Sequence, residues 1–283
     1  MSLFVFPSRR RVSTLYDLVS TSNYFTERTM FRNLGYWKAT PATLDDACEA
    51  MARLAAESAD LGPNDRVLDA GFGYGDQDMY WMEHFRPREI VGINVTQSQL
   101  ELAQKRVAER GMSDRISLQL ASATELPFES ASFDKVIALE SAFHFDTREH
   151  FLREAFRVLR PGGRIVLLDI IPWAQFPGGI IDALVLKLGQ YVWQMKSKNM
   201  YPRDVYADKL RAAGFSGAQV QSIHQHVEPH FVSWAAAQLA NPQVRARISP
   251  VVRLLFSPPI PSAANARDRK YDMDYVLAIA DKS

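Results

Sequence analysis

The side chains best suited to moving a proton or steadying a cation stand at the ends of two apolar runs. In "VIALESAFHFD" (136–146), Glu140 and His144 are four residues apart where the apolar run gives out. Asp169 lies within "IVLLDIIPW" (165–173), where a carboxylate is costly unless it is paired or faces a pocket. Histidine changes charge near neutral pH and serves as a general base. A strand-end carboxylate orients a ligand, stabilises a cation or is satisfied by backbone amides. For His144 a structural role weighs as much as a catalytic one.

A third feature binds rather than reacts. "VLDAGFGYGDQDM" (67–79) places Gly71, Gly73 and Gly75 at alternate positions behind an apolar run. Glycines there permit a tight strand-to-helix turn and let a ligand approach the backbone. The spacing is G-x-G-x-G, whereas a dinucleotide fingerprint is G-x-G-x-x-G, so pyrophosphate is disfavoured.

These residues need elements to hold them. Short β-branched or leucine runs alternate with amphipathic stretches from about residue 64, the pattern of a parallel sheet covered by helices. Strands are predicted at 66–71, 89–95, 116–122, 133–141, 164–171 and 218–227, with "DYVLAIADKS" (274–283) as a terminal antiparallel strand. "DTREHFLREAFRVLRPGG" (146–163) is predicted as a helix with Asp146 or Thr147 as N-cap and a Pro-Gly-Gly stop. Residues 1–63 read as a helical N-terminal cap. Residues 64–283 read as the core, with irregular aromatic insertions at about 172–203 and 228–270.

Five segments occur in an order that resembles the class I S-adenosylmethionine-dependent methyltransferases, in particular their small-molecule branch of quinone, tocopherol and natural-product sugar methyltransferases. They are "NLGYW" (33–37), "VLDAGFGYG" (67–75), "VGINVTQSQ" (91–99), "ASATELPFESASFDKVIALES" (121–141) and "VLRPGGRIVLLD" (158–169). The resemblance implies an α/β, doubly wound, Rossmann-like sheet of seven mostly parallel strands in the order 3-2-1-4-5-7-6. It implies S-adenosylmethionine as cofactor, S-adenosylhomocysteine as product, and Asp69, Gly71, Gly73 and Gly75 as contacts to the methionine part. Tyr36 and Trp37, with Tyr16 and Tyr24 upstream, resemble the cap that closes over the cofactor and excludes water.

Departures from the family pattern sharpen the expectation. Asn94 stands where an acid usually takes both ribose hydroxyls, so Gln99 or Thr96 is expected to assist. Ser122, followed by Ala123, stands where an aspartate usually accepts from adenine. Both changes predict weaker cofactor affinity. Sugar O-methylating relatives often carry two consecutive histidines after strand four; here Phe143 replaces the first and His144 remains. His144 with Asp169 is one candidate base, while Glu140 is a candidate for orienting the methionine or a cationic acceptor.

Phe143, Phe145 and the insertion residues Trp173, Phe176, Tyr191, Trp193, Met195, Met200 and Tyr201 suit an apolar, aromatic or isoprenoid acceptor, with C-, N- and O-methylation all open. His224, His226 and His230 in "IHQHVEPH" alternate like metal ligands, but polar alternation in an edge strand gives the same pattern, and no metal is expected.

Composition narrows the partners. The 283 residues carry 33 basic and 32 acidic side chains, net +1, so no long-range field favours nucleic acid. Asp182 and Lys187 interrupt the most apolar stretch, which argues against a membrane span, and "RRR" (9–11) reads as a solvated segment. A single cysteine, Cys48, suits a reducing cytoplasm. The expected partner is a small methyl acceptor, with a homodimer admitted. A nicotinamide oxidoreductase and a non-catalytic cofactor-binding regulator or scaffold are the rival readings.

Overall fold

The computed structural model describes residues 26–39, 41, 43–173, 190, 194–247 and 273–283. Arg9–Arg11, Tyr16, Tyr24, Phe176, Asp182, Lys187, Tyr191 and Trp193, named above, lie outside the described residues.

One sheet holds β1 (Arg66–Ala70), β2 (Glu89–Asn94), β3 (Ile116–Leu120), β4 (Phe133–Leu139), β5 (Leu159–Pro172), β6 (Ser216–Ser222) and β7 (Met273–Asp281). Their spatial order is β3-β2-β1-β4-β5-β7-β6. The first five strands pair in parallel, and β7 runs antiparallel to both β5 and β6. The order reverses between β1 and β4, which opens a crevice at their carboxyl ends.

The helices are α1 (Leu44–Ser58), α2 (Asp76–His84), α3 (Gln97–Glu109), α4 (Arg148–Val158), α5 (Arg203–Ala212), α6 (Glu228–Ala240) and α7 (Pro242–Arg247). Alternate strand residues feed two apolar layers because successive side chains point to opposite faces. Val67, Ile137, Val166 and Leu168 pack with Met51 of α1, Trp81 of α2 and Ala103 of α3. Leu68, Val136, Ile165 and Leu167 pack with Phe151 of α4 and Tyr206 of α5. Thr147, rather than Asp146, caps α4 by accepting from the His150 N–H.

Four local expectations are corrected. β5 starts at Leu159, not at Arg164: Pro-Gly-Gly forms an irregularity in the pairing with β4, and the Gly162 N–H donates to Lys282 O while the Lys282 N–H donates to Gly163 O. β6 ends at Ser222, and the chain turns into a 3-10 helix, His224–His226. His224 and His226 therefore do not share a strand face; His224 Nδ1 lies 3.1 Å from Glu228 Oε2. Residues 228–247 form two helices in place of an irregular insertion, with Pro229 in the first turn of α6, where its missing N–H costs nothing. Before α1, residues 26–39 carry no helix and run as an irregular strap. No helix among the described residues is long and apolar enough to cross a membrane.

Candidate active site

A cavity opens at the carboxyl ends of β1, β2 and β4, lined by the strap, the glycine turn and the segment after β4. Gly71, Gly73, Asn94, Gln99, Ser122, Ala123, Glu140 and His144 line it. Tyr36, Trp37, Asp69, Gly75 and Asp169 do not.

The glycine turn has a division of labour. A Cβ on Gly73, whose φ is +56°, would meet no protein atom within 4 Å and would extend into the cavity. A Cβ on Gly71 would instead fall 2.5 Å from the Ser141 Cβ, so that glycine lets β1 and β4 exits approach each other. Gly75 is the N-cap of α2 and faces Ala103 and Leu118.

Asp69 is fully buried beneath this turn. Its Oδ2 accepts from Gln77 Nε2 at 3.0 Å, and the same amide reaches Gly71 O at 3.4 Å. Asp78 packs against it: burial pushes Asp69 up to about 7, and burial with the neighbouring Asp69 charge pushes Asp78 well above the carboxylate range. Two buried carboxyls in contact hold a proton between them. Asp69 thus shapes the turn from below rather than lining the cavity.

At the end of β2, Asn94 Oδ1 accepts from the Val95 N–H at 2.7 Å and Asn94 Nδ2 donates to Gln99 Oε1 at 2.8 Å. Asn94 therefore sets the Gln99 amide in place. Thr96 Oγ1 is buried in the cavity lining without a hydrogen-bond partner. Ser122 Oγ lies 2.9 Å from Thr124 Oγ1 at the far end.

The strap is held in several places. Asp45 Oδ1 and Oδ2 accept from the N–H groups of Glu27, Arg28 and Thr29. Asp76, paired to Arg106 at 2.6 Å, accepts from the Met30 N–H. The Trp37 N–H donates to His226 O, and its indole Nε1–H donates to Leu34 O. Tyr36 packs edge-on to His226. The two aromatics of "NLGYW" fasten the strap to the β6–α6 corner, and Met30, Phe31, Arg32 and Asn33 form the wall of the cavity instead.

Glu140, at φ +50°, joins strap and sheet. Its Oε1 accepts from the Leu34 N–H and from the Tyr275 hydroxyl, each at 2.7 Å. Burial pushes the carboxyl up to about 7 against those two hydrogen bonds. His144 ends the short 3-10 turn Ala142–His144, with Nδ1 3.3 Å from Gln194 O. Burial holds its imidazole down at about 4, and the Lys196 ammonium adds to that effect. The ring is neutral at physiological pH.

The expected His144–Asp169 pair does not form. By strand alternation Asp169 faces the α4–α5 side with Ile165 and Leu167. There its Oδ2 lies 2.8 Å from Arg148 Nε and accepts from the Tyr206 hydroxyl at 3.0 Å. Arg148 in turn donates to Asn199 O at 2.7 Å, and Asn199 Nδ2 donates to Phe145 O at 2.8 Å and Phe143 O at 3.2 Å. Asp169 reaches His144 only through this buried chain of contacts. Arg148, Asn199, Tyr275 and Asn33 were not singled out from the sequence, although Arg148, Tyr275 and Asn33 stood within quoted segments.

A nucleoside with a charged amino-acid tail fits these residues. The Gly73 edge is open, and two buried polar atoms in the lining, Asn33 Nδ2 and Thr96 Oγ1, have no partner. Among the described residues, no group of three or more His, Cys, Asp or Glu side chains is arranged to hold a metal.

A family model described as a methyltransferase domain matches residues 68–167. The erythromycin 3''-O-methyltransferase of Saccharopolyspora erythraea is 34% identical over 278 residues, spanning 97% of this chain and 90% of the relative. The 27-O-demethylrifamycin SV methyltransferase of Amycolatopsis mediterranei is 35% identical over 204 residues, spanning 72% of each. Among solved structures, the [4+2]-cyclase SpnF superposes with a TM-score of 0.75 at 24% identity, covering 98% of this chain and 97% of that one.

Proposed function

Because the chain belongs to the S-adenosylmethionine-dependent small-molecule methyltransferases of secondary metabolism, we propose that its methyl acceptor is a hydroxyl on an apolar natural product and that His144 takes the proton. The observation that carries this reading is a neutral imidazole lining the same cavity as the glycine turn. Two relatives above 30% identity, named as methyltransferases of erythromycin and of 27-O-demethylrifamycin SV, support it, one of them explicitly an O-methyltransferase.

S-adenosylmethionine, when bound, supplies an electrophilic methyl group and leaves as S-adenosylhomocysteine. The protein's tasks are alignment, water exclusion and removal of the hydroxyl proton. With Nδ1–H directed at Gln194 O, the His144 lone pair is on Nε2, which accepts the proton as the oxygen–carbon bond forms. Gly71, Gly73, Gln99, Thr96 and Ser122 hold the nucleoside; Phe145 offers an apolar surface beside His144. The strap serves as the cap in the role first assigned to Tyr36 and Trp37. A net charge of +1 fits a small-molecule rather than a nucleic-acid acceptor, and the buried free thiol of Cys48 fits the cytoplasm.

Turnover of S-adenosylmethionine against an acceptor panel tests the reading. The panel contains an erythromycin-type glycoside with a free 3''-hydroxyl, 27-O-demethylrifamycin SV, a phenol and sarcosine. O-methylated product from a hydroxyl acceptor and none from sarcosine is expected. Methylation of sarcosine alone overturns hydroxyl chemistry; cofactor binding with no product from any hydroxyl favours the non-catalytic reading.

A further inference from the structure

His144 shares its end of the cavity with a cation. Lys196 lines the wall alongside His144, Phe145 and Asp146. Two hydrogen bonds join the segments that carry the base and the cation: the Lys196 N–H donates to Phe143 O at 3.2 Å, and His144 Nδ1 lies 3.3 Å from Gln194 O. Lys196 is also the N-cap of the short 3-10 helix Ser197–Asn199, where the Asn199 N–H donates to Lys196 O at 2.8 Å. Its side chain is 21% exposed, and among the described residues its one ion pair is with Asp146 Oδ2 at 4.0 Å. That pair is long and Asp146 is 59% exposed, so water screens it and it contributes little. Arg32, the other lysine or arginine in the lining, lies over the Tyr74 ring of the glycine turn.

A cation beside a base works against the base. Burial holds His144 at about 4, and the Lys196 charge adds to that effect by repelling an imidazolium. So weak a base is badly matched to an aliphatic hydroxyl, whose proton is far harder to remove than that of a phenol, at about 10. The same ammonium is favourable once the acceptor oxygen turns negative, because a cation within about 4–6 Å favours the ionised form.

We propose that Lys196 selects the acceptor: with His144 it forms a site for an acidic hydroxyl of the phenol type, whose developing oxyanion its ammonium meets. The inference rests on the hydroxyl reading above and narrows it. The O–H proton passes to His144 Nε2, the oxygen's electron pair forms the bond to the methyl carbon, and sulfur keeps the pair of the sulfur–carbon bond that breaks. Lys196 exchanges no proton. Phe145 supplies the apolar wall on which an aromatic ring packs.

4-Nitrophenol, whose ionised form is coloured, reads the charge at this site directly. In the complex of the protein with S-adenosylhomocysteine, the bound phenol is expected to ionise about one pH unit or more below its value in free solution. Lys196→Met keeps the apolar stem and should abolish the shift, whereas Lys196→Arg should retain it. S-adenosylhomocysteine affinity should change by less than about twofold in both variants. In turnover, phenol should be methylated faster than benzyl alcohol, and Lys196→Met should lower kcat on phenol by about tenfold or more. The assignment alone is overturned by a complex that does not bind 4-nitrophenol, by a bound probe that ionises at or above its free value, by a wild-type shift in Lys196→Met, or by phenol turned over no faster than benzyl alcohol. Methylation of sarcosine alone, or a wild type that binds no S-adenosylhomocysteine, overturns the hydroxyl reading itself.

Discussion

Asp169 Oδ2 and Arg148 Nε lie 2.8 Å apart, and both side chains are completely buried. An ion pair so enclosed is a poor proton shuttle, because removing either charge strands the other. Its use is positional: Arg148 grips Asn199, which grips the carbonyls of the turn bearing His144. Asp169→Ala is expected to destabilise the protein by about 3–5 kcal/mol through the stranded guanidinium. Chemical denaturation checks this, and a loss below about 1 kcal/mol would show that the pair contributes little.

His144 is neutral because it is buried, so protonation should not limit the rate until pH approaches about 4. At saturating cofactor, kcat is expected to hold through the region near 6.5 where an ordinary histidine would switch the enzyme off. His144→Gln should lower kcat by about 10²–10⁴-fold, with S-adenosylhomocysteine affinity nearly unchanged. Equal effects on both quantities would reassign His144 to cofactor binding.

Stability without ligand carries its own pH signature. Burial raises Asp69 from 3.8 and Glu140 from 4.5, each to about 7, and Asp78 is raised well above 3.8. Carboxyls whose folded values exceed their unfolded ones contribute stability that is complete below the unfolded value and is lost as pH climbs through the folded value. His144 opposes this below 6.5, since it must stay neutral in the fold. Between about pH 6.5 and 8 the carboxyls act alone, so the melting temperature of the ligand-free protein should fall across that window. Asp69→Asn should flatten the slope, and a melting temperature that rises there would contradict the assigned burial.

Strand order, the parallel core and the terminal antiparallel strand were legible because apolar runs of strand length alternate with amphipathic stretches, and the five ordered segments named the topology. The glycine turn was legible too, since glycine, lacking a Cβ, takes up its left-handed backbone without strain. What the sequence hid was direction. Asp169 looked pocket-facing because its neighbours are apolar, yet strand alternation turns it toward Arg148, a partner supplied by α4. "NLGYW" drew attention to its aromatics, which dock away from the cavity, while its asparagine faces the ligand side. Tyr275 and Asn199 reach the site from 135 and 55 or so residues away from Glu140 and His144, and pairings at such separations leave no local pattern.

The account stands on the exit of β1 being a cradle for a sulfonium nucleoside, and calorimetric titration of S-adenosylhomocysteine into the wild type and Gly73→Val tests that most directly. Both proteins should melt cooperatively, the variant at a lower temperature, because a side chain at that position meets no protein atom within 4 Å but a β-branched residue is strained at φ +56°. The wild type should bind one ligand per chain and the variant none that is measurable, since the valine branches take the ligand's place. Undiminished affinity in the variant, or a wild type that binds nicotinamide dinucleotide and not S-adenosylhomocysteine, would contradict the account.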